Sequence, residues 1–175
     1  MRANVSYTSR DQVEVYKFSL PVSVGIPVVA LLLQSFLPVK LHFMTAFDLP
    51  LLVTIFFAVA RRNPITGLLT GAVIGIAQDS MTTHLLGAYG IAKTIIGYIA
   101  SSLGVKIDVE NPGSRLLMTM GFYILHGWIY FAVLRGMAGQ DSASWRWGHE
   151  LGSALANGLL AVVLFAALDR FRQRA

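Results

Sequence analysis

Long apolar runs separated by short polar breaks dominate this chain, and the length of each run sets the kind of structure it can form. Phe18 to Leu37 is continuous enough to cross a bilayer as one helix, at 1.5 Å rise per residue against a hydrocarbon core of about 30 Å. Five further runs follow. The pattern predicts helices over 18–37, 48–60, 64–80, 87–104, 115–135 and 149–168, an all-α polytopic membrane bundle of six spans in a single domain over 1–175. The first run reads as a membrane helix and not a cleaved leader: it is long, carries Pro21 and Pro27, and ends at Gln34-Ser35-Phe36 without a small-residue cleavage site. Pro21 suits a first turn, whereas Pro27 should kink the helix.

The breaks carry their own signals. Pro38 opens a loop with Lys40 and His42, and Asp48 stands where its carboxylate can cap the second helix. Arg61-Arg62 stops that helix, and Asn63-Pro64 supplies a cap and a first-turn proline for the third. Lys106, Asp108, Glu110 and Asn111-Pro112-Gly113 form a polar loop before Ser114, the expected cap of the fifth helix. Gly136 to Gly148 is the longest internal loop, with Trp145 and Trp147 placed to suit a membrane interface.

The stretch from Gly67 to Gly97 reads as a helical hairpin around which the rest is arranged. Gly67, Gly71 and Gly75 recur every four residues, so they share one side of a helix and admit a close neighbour. Asp79 continues that row. A carboxylate is costly in hydrocarbon and should find a partner, and a turn near Thr83 to Leu86 brings Lys93 to a similar depth on the other arm. The expected arrangement is therefore a buried Asp79–Lys93 ion pair, the alternative being Asp79 hydrated at the outer interface and capped by loop amides while Lys93 snorkels to the same surface. In the last helix, Gly152 with Ala156, Ser153 with Asn157 and Ala154 with Gly158 repeat the four-residue spacing of a close-packing surface.

Composition narrows the function classes. With 55% hydrophobic and 13% charged residues, the chain is too apolar for an ordinary soluble domain. The net charge of +5 does not point to nucleic acid, because the basic residues sit at the ends of apolar runs and form no single face. They fit topology instead. Arg2, Arg10, Lys17, Arg61, Arg62, Lys106, Arg115, Arg170, Arg172 and Arg174 fall on one side of a six-span layout, against Lys40, Arg135 and Arg146 on the other, which places both termini in the cytoplasm. The absence of cysteine excludes disulfide and thiol chemistry. His42, His84, His126 and His149 lack ligand spacing, so neither a metal nor another cofactor is expected, and His126 is expected to hydrogen-bond a neighbouring helix.

With the helices in place, the pattern resembles the MreD family of rod shape-determining proteins, small bacterial inner-membrane proteins of the cell-elongation machinery. The resemblance runs from the second helix onward. It is carried by Asp48-Leu49-Pro50-Leu51-Leu52 before an aromatic-rich helix, Gly67 to Gly75 leading to Asp79, Leu86-Gly87 after the short loop, and Ile96-Gly97-Tyr98. Asn157-Gly158 and the basic C-terminal end add to it. The family often has an apolar residue where Lys93 stands, so the Asp79–Lys93 pair is read from this sequence and not from the family.

The resemblance implies a six-helix fold similar to the substrate-binding subunits of energy-coupling-factor transporters. It further implies a non-enzymatic scaffold that binds an MreC-like bitopic protein and, through it, a RodA-type glycosyltransferase, a class B penicillin-binding transpeptidase and the MreB filament system. No catalytic residues accompany it; Gly67, Gly71, Gly75, Asp79, Lys93, Gly97, Asn157 and Gly158 are candidates for packing or partner binding. A competing reading is a vitamin-binding transporter subunit of the same architecture. Such subunits dock through an Ala-x-x-x-Ala surface on the first helix, where this chain has only Ala30. An intramembrane enzyme would need convergent acid, base or nucleophile groups, which Asp79 and His126 alone do not supply.

Overall fold

A computed structural model describes residues 16–82, 86–105, 111–138 and 146–174. Thr83, His84, Lys106, Asp108, Glu110, Trp145 and the basic residues Arg2 and Arg10 lie outside the described residues. Six α-helices follow one another: α1 (Leu20–Lys40), α2 (Leu49–Arg61), α3 (Pro64–Met81), α4 (Ala88–Leu103), α5 (Pro112–Ala138) and α6 (Trp147–Leu168). Two short strands, β1 (Tyr16–Lys17) and β2 (Gln173–Arg174), pair antiparallel, so the two described ends of the chain meet at one end of the bundle.

The chain is an all-α membrane protein. Four segments, Leu20–Lys40, His42–Arg61, Pro112–Met137 and Trp147–Phe171, are long and apolar enough to cross a bilayer. The other two helices are shorter or more polar, yet α3 turns Ile65, Leu69, Val73 and Ile76 outward and α4 turns Tyr98 outward, all at least half exposed. Large apolar side chains facing away from the bundle on α1, α3, α5 and α6 are what a lipid solvent requires.

The centre belongs to α2. Every residue from Pro50 to Ala60 is buried, which is why this helix reads as apolar on all sides. Phe56 and Phe57 meet Phe18 edge-on at 5.7 and 4.9 Å between ring centroids, and Phe56 packs on Phe165 of α6 at 5.4 Å. This helix is the most deeply buried, while the most extensive helix–helix contact is that of the α3–α4 hairpin.

The structure differs from expectation at several points, the first being the longest loop: Gly136 to Ala138 belong to α5 and Trp147 and Gly148 to α6, so only residues 139–146 separate the two helices and not Gly136 to Gly148. Pro38 stays inside α1, which runs on to Lys40, so the loop starts at Leu41. The fifth helix begins at Pro112, not Arg115. Asn111 Oδ1 accepts from the Gly113 amide at 2.8 Å and displaces Ser114 from the capping role. This repeats the device at Asn63, whose Oδ1 accepts from the Ile65 and Thr66 amides before Pro64. Gly152 lies on the exposed side of α6, whereas Ser153, Ala154, Asn157 and Gly158 face inward.

At the end where the strands pair, Asp169 accepts from Arg115 Nη2 at 2.6 Å and lies 2.9 Å from Arg172 Nε. The Arg172 guanidinium also sits 4.5 Å from the Tyr16 ring, joining the two described termini to the α5–α6 pair.

Candidate functional site

The polar chemistry of the bundle collects at the opposite end, where α1 hands over to α2 and α3 to α4. It starts from the glycine ridge. A Cβ at Gly67 would overlap the Gly97 carbonyl and the Ser101 side chain, one at Gly71 would overlap the Lys93 carbonyl, and one at Gly75 would overlap the Tyr89 carbonyl and Gly90 Cα. Gly97 is closed in the same way by the Gly67 carbonyl. The ridge therefore brings the α3 and α4 backbones into contact, and its glycines are spent on packing within the chain.

That contact decides what Asp79 does. The carboxylate is 1% exposed, and its Oδ2 accepts from the Gly87 and Gly90 amides at 3.0 and 2.8 Å while Oδ1 accepts from Tyr89 at 3.1 Å. It thus caps the first turn of α4 from the preceding helix, where the amides and the helix dipole favour negative charge. Gly87 carries no capping side chain and adopts φ +101°, a conformation that suits glycine.

The expected Asp79–Lys93 pair is corrected by this arrangement. Lys93 is fully buried and donates to Asp48 Oδ2 at 2.6 Å, forming an ion pair across 45 residues of sequence. Asp48 does cap α2, as its Oδ1 accepts from the Leu51 amide at 3.0 Å, so one oxygen holds the helix and the other holds the lysine. The Asp79 amide cage leaves that carboxylate no need of an ammonium. Lys93 also lies 5.1 Å from the centroid of the Tyr89 ring.

Two carboxamides fix the chain that carries Asp48. Asn157 Nδ2 donates to the Ala46 carbonyl at 2.7 Å and its Oδ1 accepts from the Asp48 amide at 3.0 Å. Gln34 Nε2 donates to the Phe47 carbonyl at 2.9 Å and its Oε1 accepts from the Leu49 amide at 3.0 Å. The four successive residues Ala46 to Leu49, at the entry to α2, thereby satisfy backbone groups through α1 and α6, which is how a non-helical connection is tolerated at membrane depth. Gly158, one step on, lets α6 approach the Leu116 carbonyl and Met120 of α5.

Beside this network lies a cavity of about 280 Å³, lined among others by Asp48, Gln78, Tyr89, Tyr123, His126, Tyr130 and Glu150. Among the described residues, His126 Nε2 does not make the interhelical hydrogen bond expected of this side chain. Its ring is stacked near-parallel on Tyr89 at 5.9 Å, and Nε2 has no hydrogen-bond partner among the described residues. Tyr89 in turn stacks on Tyr130 at 4.5 Å. Gln78 Oε1 is likewise buried without a partner.

The Asp48–Lys93 pair and the cavity were missed at the level of sequence. The available signal was that Gln34, Asp48, Gln78, His126 and Glu150 fall toward the same end once six antiparallel helices are drawn.

A family model described as rod shape-determining protein MreD matches residues 13–174, nearly the whole chain and thus α1 as well as the later helices. No curated protein and no solved structure matches it.

Proposed function

The chain belongs to the rod shape-determining protein MreD family, and from that premise we propose that it is a non-enzymatic scaffold of the cell-elongation complex in the bacterial inner membrane. Its direct partner in this reading is an MreC-like bitopic protein, through which it supports a RodA-type glycosyltransferase and a class B penicillin-binding transpeptidase in lateral peptidoglycan synthesis. The MreB filament system is an indirect partner. The observation that carries the reading is the family match over nearly the whole chain.

The structure supplies the mechanical side. Direct backbone contact between α3 and α4, a fully buried α2 and a clamped α1–α2 connection make a stiff bundle that presents apolar side chains to lipid. A stiff bundle captures a partner's transmembrane segment on an exposed helical face without paying to reorder itself. The strand-paired end, with Lys17, Arg61, Arg62, Arg115, Arg170 and Arg172, faces the cytoplasm in this reading, and the Asp48 end faces outward.

Recovery of the complex from membranes is the test. Mild-detergent purification of a tagged chain should bring down the MreC-like protein and the transpeptidase. Recovery of an ATPase pair in their place would favour a transporter subunit. Tags at both termini should report the cytoplasm and one inserted in 139–145 should report the outer side; an outward C-terminal tag refutes the orientation.

A further inference from the structure

A scaffold has no need of the cavity beside Asp48, and we infer that this cavity binds a small uncharged organic molecule, a ring bearing amide or hydroxyl groups, independently of the partner-binding reading. Two polar groups carry the argument. Gln78 on α3 and His126 on α5 are 6% and 5% exposed and line the same cavity, and their Oε1 and Nε2 have no partners among the described residues. Buried polar atoms in native proteins are overwhelmingly paired, because an unpaired one destabilises the fold that holds it. Two side chains that line one space from different helices, each with an unpaired polar atom, form a binding constellation whose hydrogen bonds the ligand completes.

The chemistry of the ligand follows from what the groups accept. A carboxamide oxygen only accepts, so the ligand must offer an N–H or O–H to Gln78, with a second polar group within reach of His126. Asp48 already holds Lys93 at 2.6 Å, and Glu150 stands at the cavity margin with its side chain 24% exposed, where water screens its charge. An anion would meet both carboxylates, and a cation would have to compete with a lysine that is fully buried in its pair. The rings of Phe47, Tyr89, Tyr130 and Phe131 add apolar wall, which suits a ring with a nonpolar face. At about 280 Å³ the space takes one small ring and excludes a peptide helix or a full lipid.

The test is thermal unfolding of the purified full chain in lipid nanodiscs with N-acetylglucosamine, nicotinamide and myo-inositol as neutral probes, and choline and phosphate as charged ones. At least one neutral probe at millimolar concentration should raise Tm in a saturable way, since a ligand of the native state stabilises it by mass action. Gln78→Met and His126→Phe, which remove an unpaired polar atom at nearly constant volume, should melt at or above the wild-type temperature in the absence of probe yet weaken the response about tenfold, the loss of one hydrogen bond. Leu134→Trp, which fills space at the cavity wall without altering either atom, should abolish the response. The inference is overturned if no neutral probe shifts Tm, as a cavity holding water only would give, or if choline or phosphate shifts it more. It also falls if the response survives all three substitutions, or if both polar-to-apolar variants melt lower, which would make the two groups structural. Recovery of the MreC-like partner should be unchanged in Gln78→Met, separating this site from the scaffold role.

Discussion

Removing the charge of Lys93 tests the central correction to the sequence reading. At an effective dielectric of about 20, charges separated by the observed 2.6 Å attract by roughly 6 kcal/mol, while taking each ion out of water costs several kcal/mol, so the intact pair contributes little net stability. Breaking it is different. Lys93→Met leaves Asp48, whose side chain is 13% exposed, as a nearly buried carboxylate without its counter-charge, and should cost about 3–5 kcal/mol. Asp48→Asn keeps an oxygen for the Leu51 amide, because asparagine caps helices as well as aspartate does, so its cost isolates the charge and not the cap. The double variant removes both charges and should be more stable than the sum of the single losses predicts, by about 2–3 kcal/mol. Equilibrium unfolding in mixed detergent micelles measures all four corners of the cycle. A parallel cycle with Asp79→Asn and Lys93→Met should show coupling under about 0.5 kcal/mol, since Asp79 spends its oxygens on amides. Additivity at Asp48–Lys93, or strong coupling at Asp79–Lys93, would refute the assignment.

Gly71→Ala should lower stability by about 1–3 kcal/mol, because its Cβ would overlap the Lys93 carbonyl and neither backbone can yield, whereas Gly121→Ala, with nothing within 4 Å, should be neutral or stabilise by up to about 1 kcal/mol. Thermal melts of the two variants compare them directly, and equal costs would deny the close α3–α4 contact. Asp79→Ala strips the first turn of α4 of three acceptor contacts and should cost about 2–4 kcal/mol, with hydrogen exchange of the Gly87, Tyr89 and Gly90 amides accelerating more than that of α6. Asn157→Asp should destabilise by about 1–3 kcal/mol even though it can still accept from the Asp48 amide, since its carboxylate would face the Ala46 and Ser153 carbonyls; a variant as stable as wild type would show that Asn157 does not clamp the α1–α2 connection.

The helices themselves were legible in the sequence because they depend on nearest neighbours. Apolar runs, first-turn prolines and Asn63 define α2 and α3 to within a residue or two, and the Gly67–Gly71–Gly75 spacing identifies the side of α3 that meets another backbone. Asp79 was legible as a buried carboxylate and Asp48 as a cap, since both follow from local position. Which carboxylate faces Lys93 was not. Depth along a helix is a one-dimensional property that Asp48 and Asp79 share, while pairing depends on the direction in which each side chain leaves its helix and on what else satisfies it. Close packing at Gly71 and Gly75 presses the α3 backbone onto α4, so Asp79 reaches the open amides of that helix and is satisfied there. Lys93, whose own carbonyl lies against Gly71, carries its ammonium to the α2 terminus held in place by Gln34 and Asn157. The cavity has the same origin. Gln78 and His126 lie 48 positions apart and acquire a common meaning only where α3 and α5 face one space, because hydrogen-bond satisfaction is a property of the assembled bundle and not of any segment.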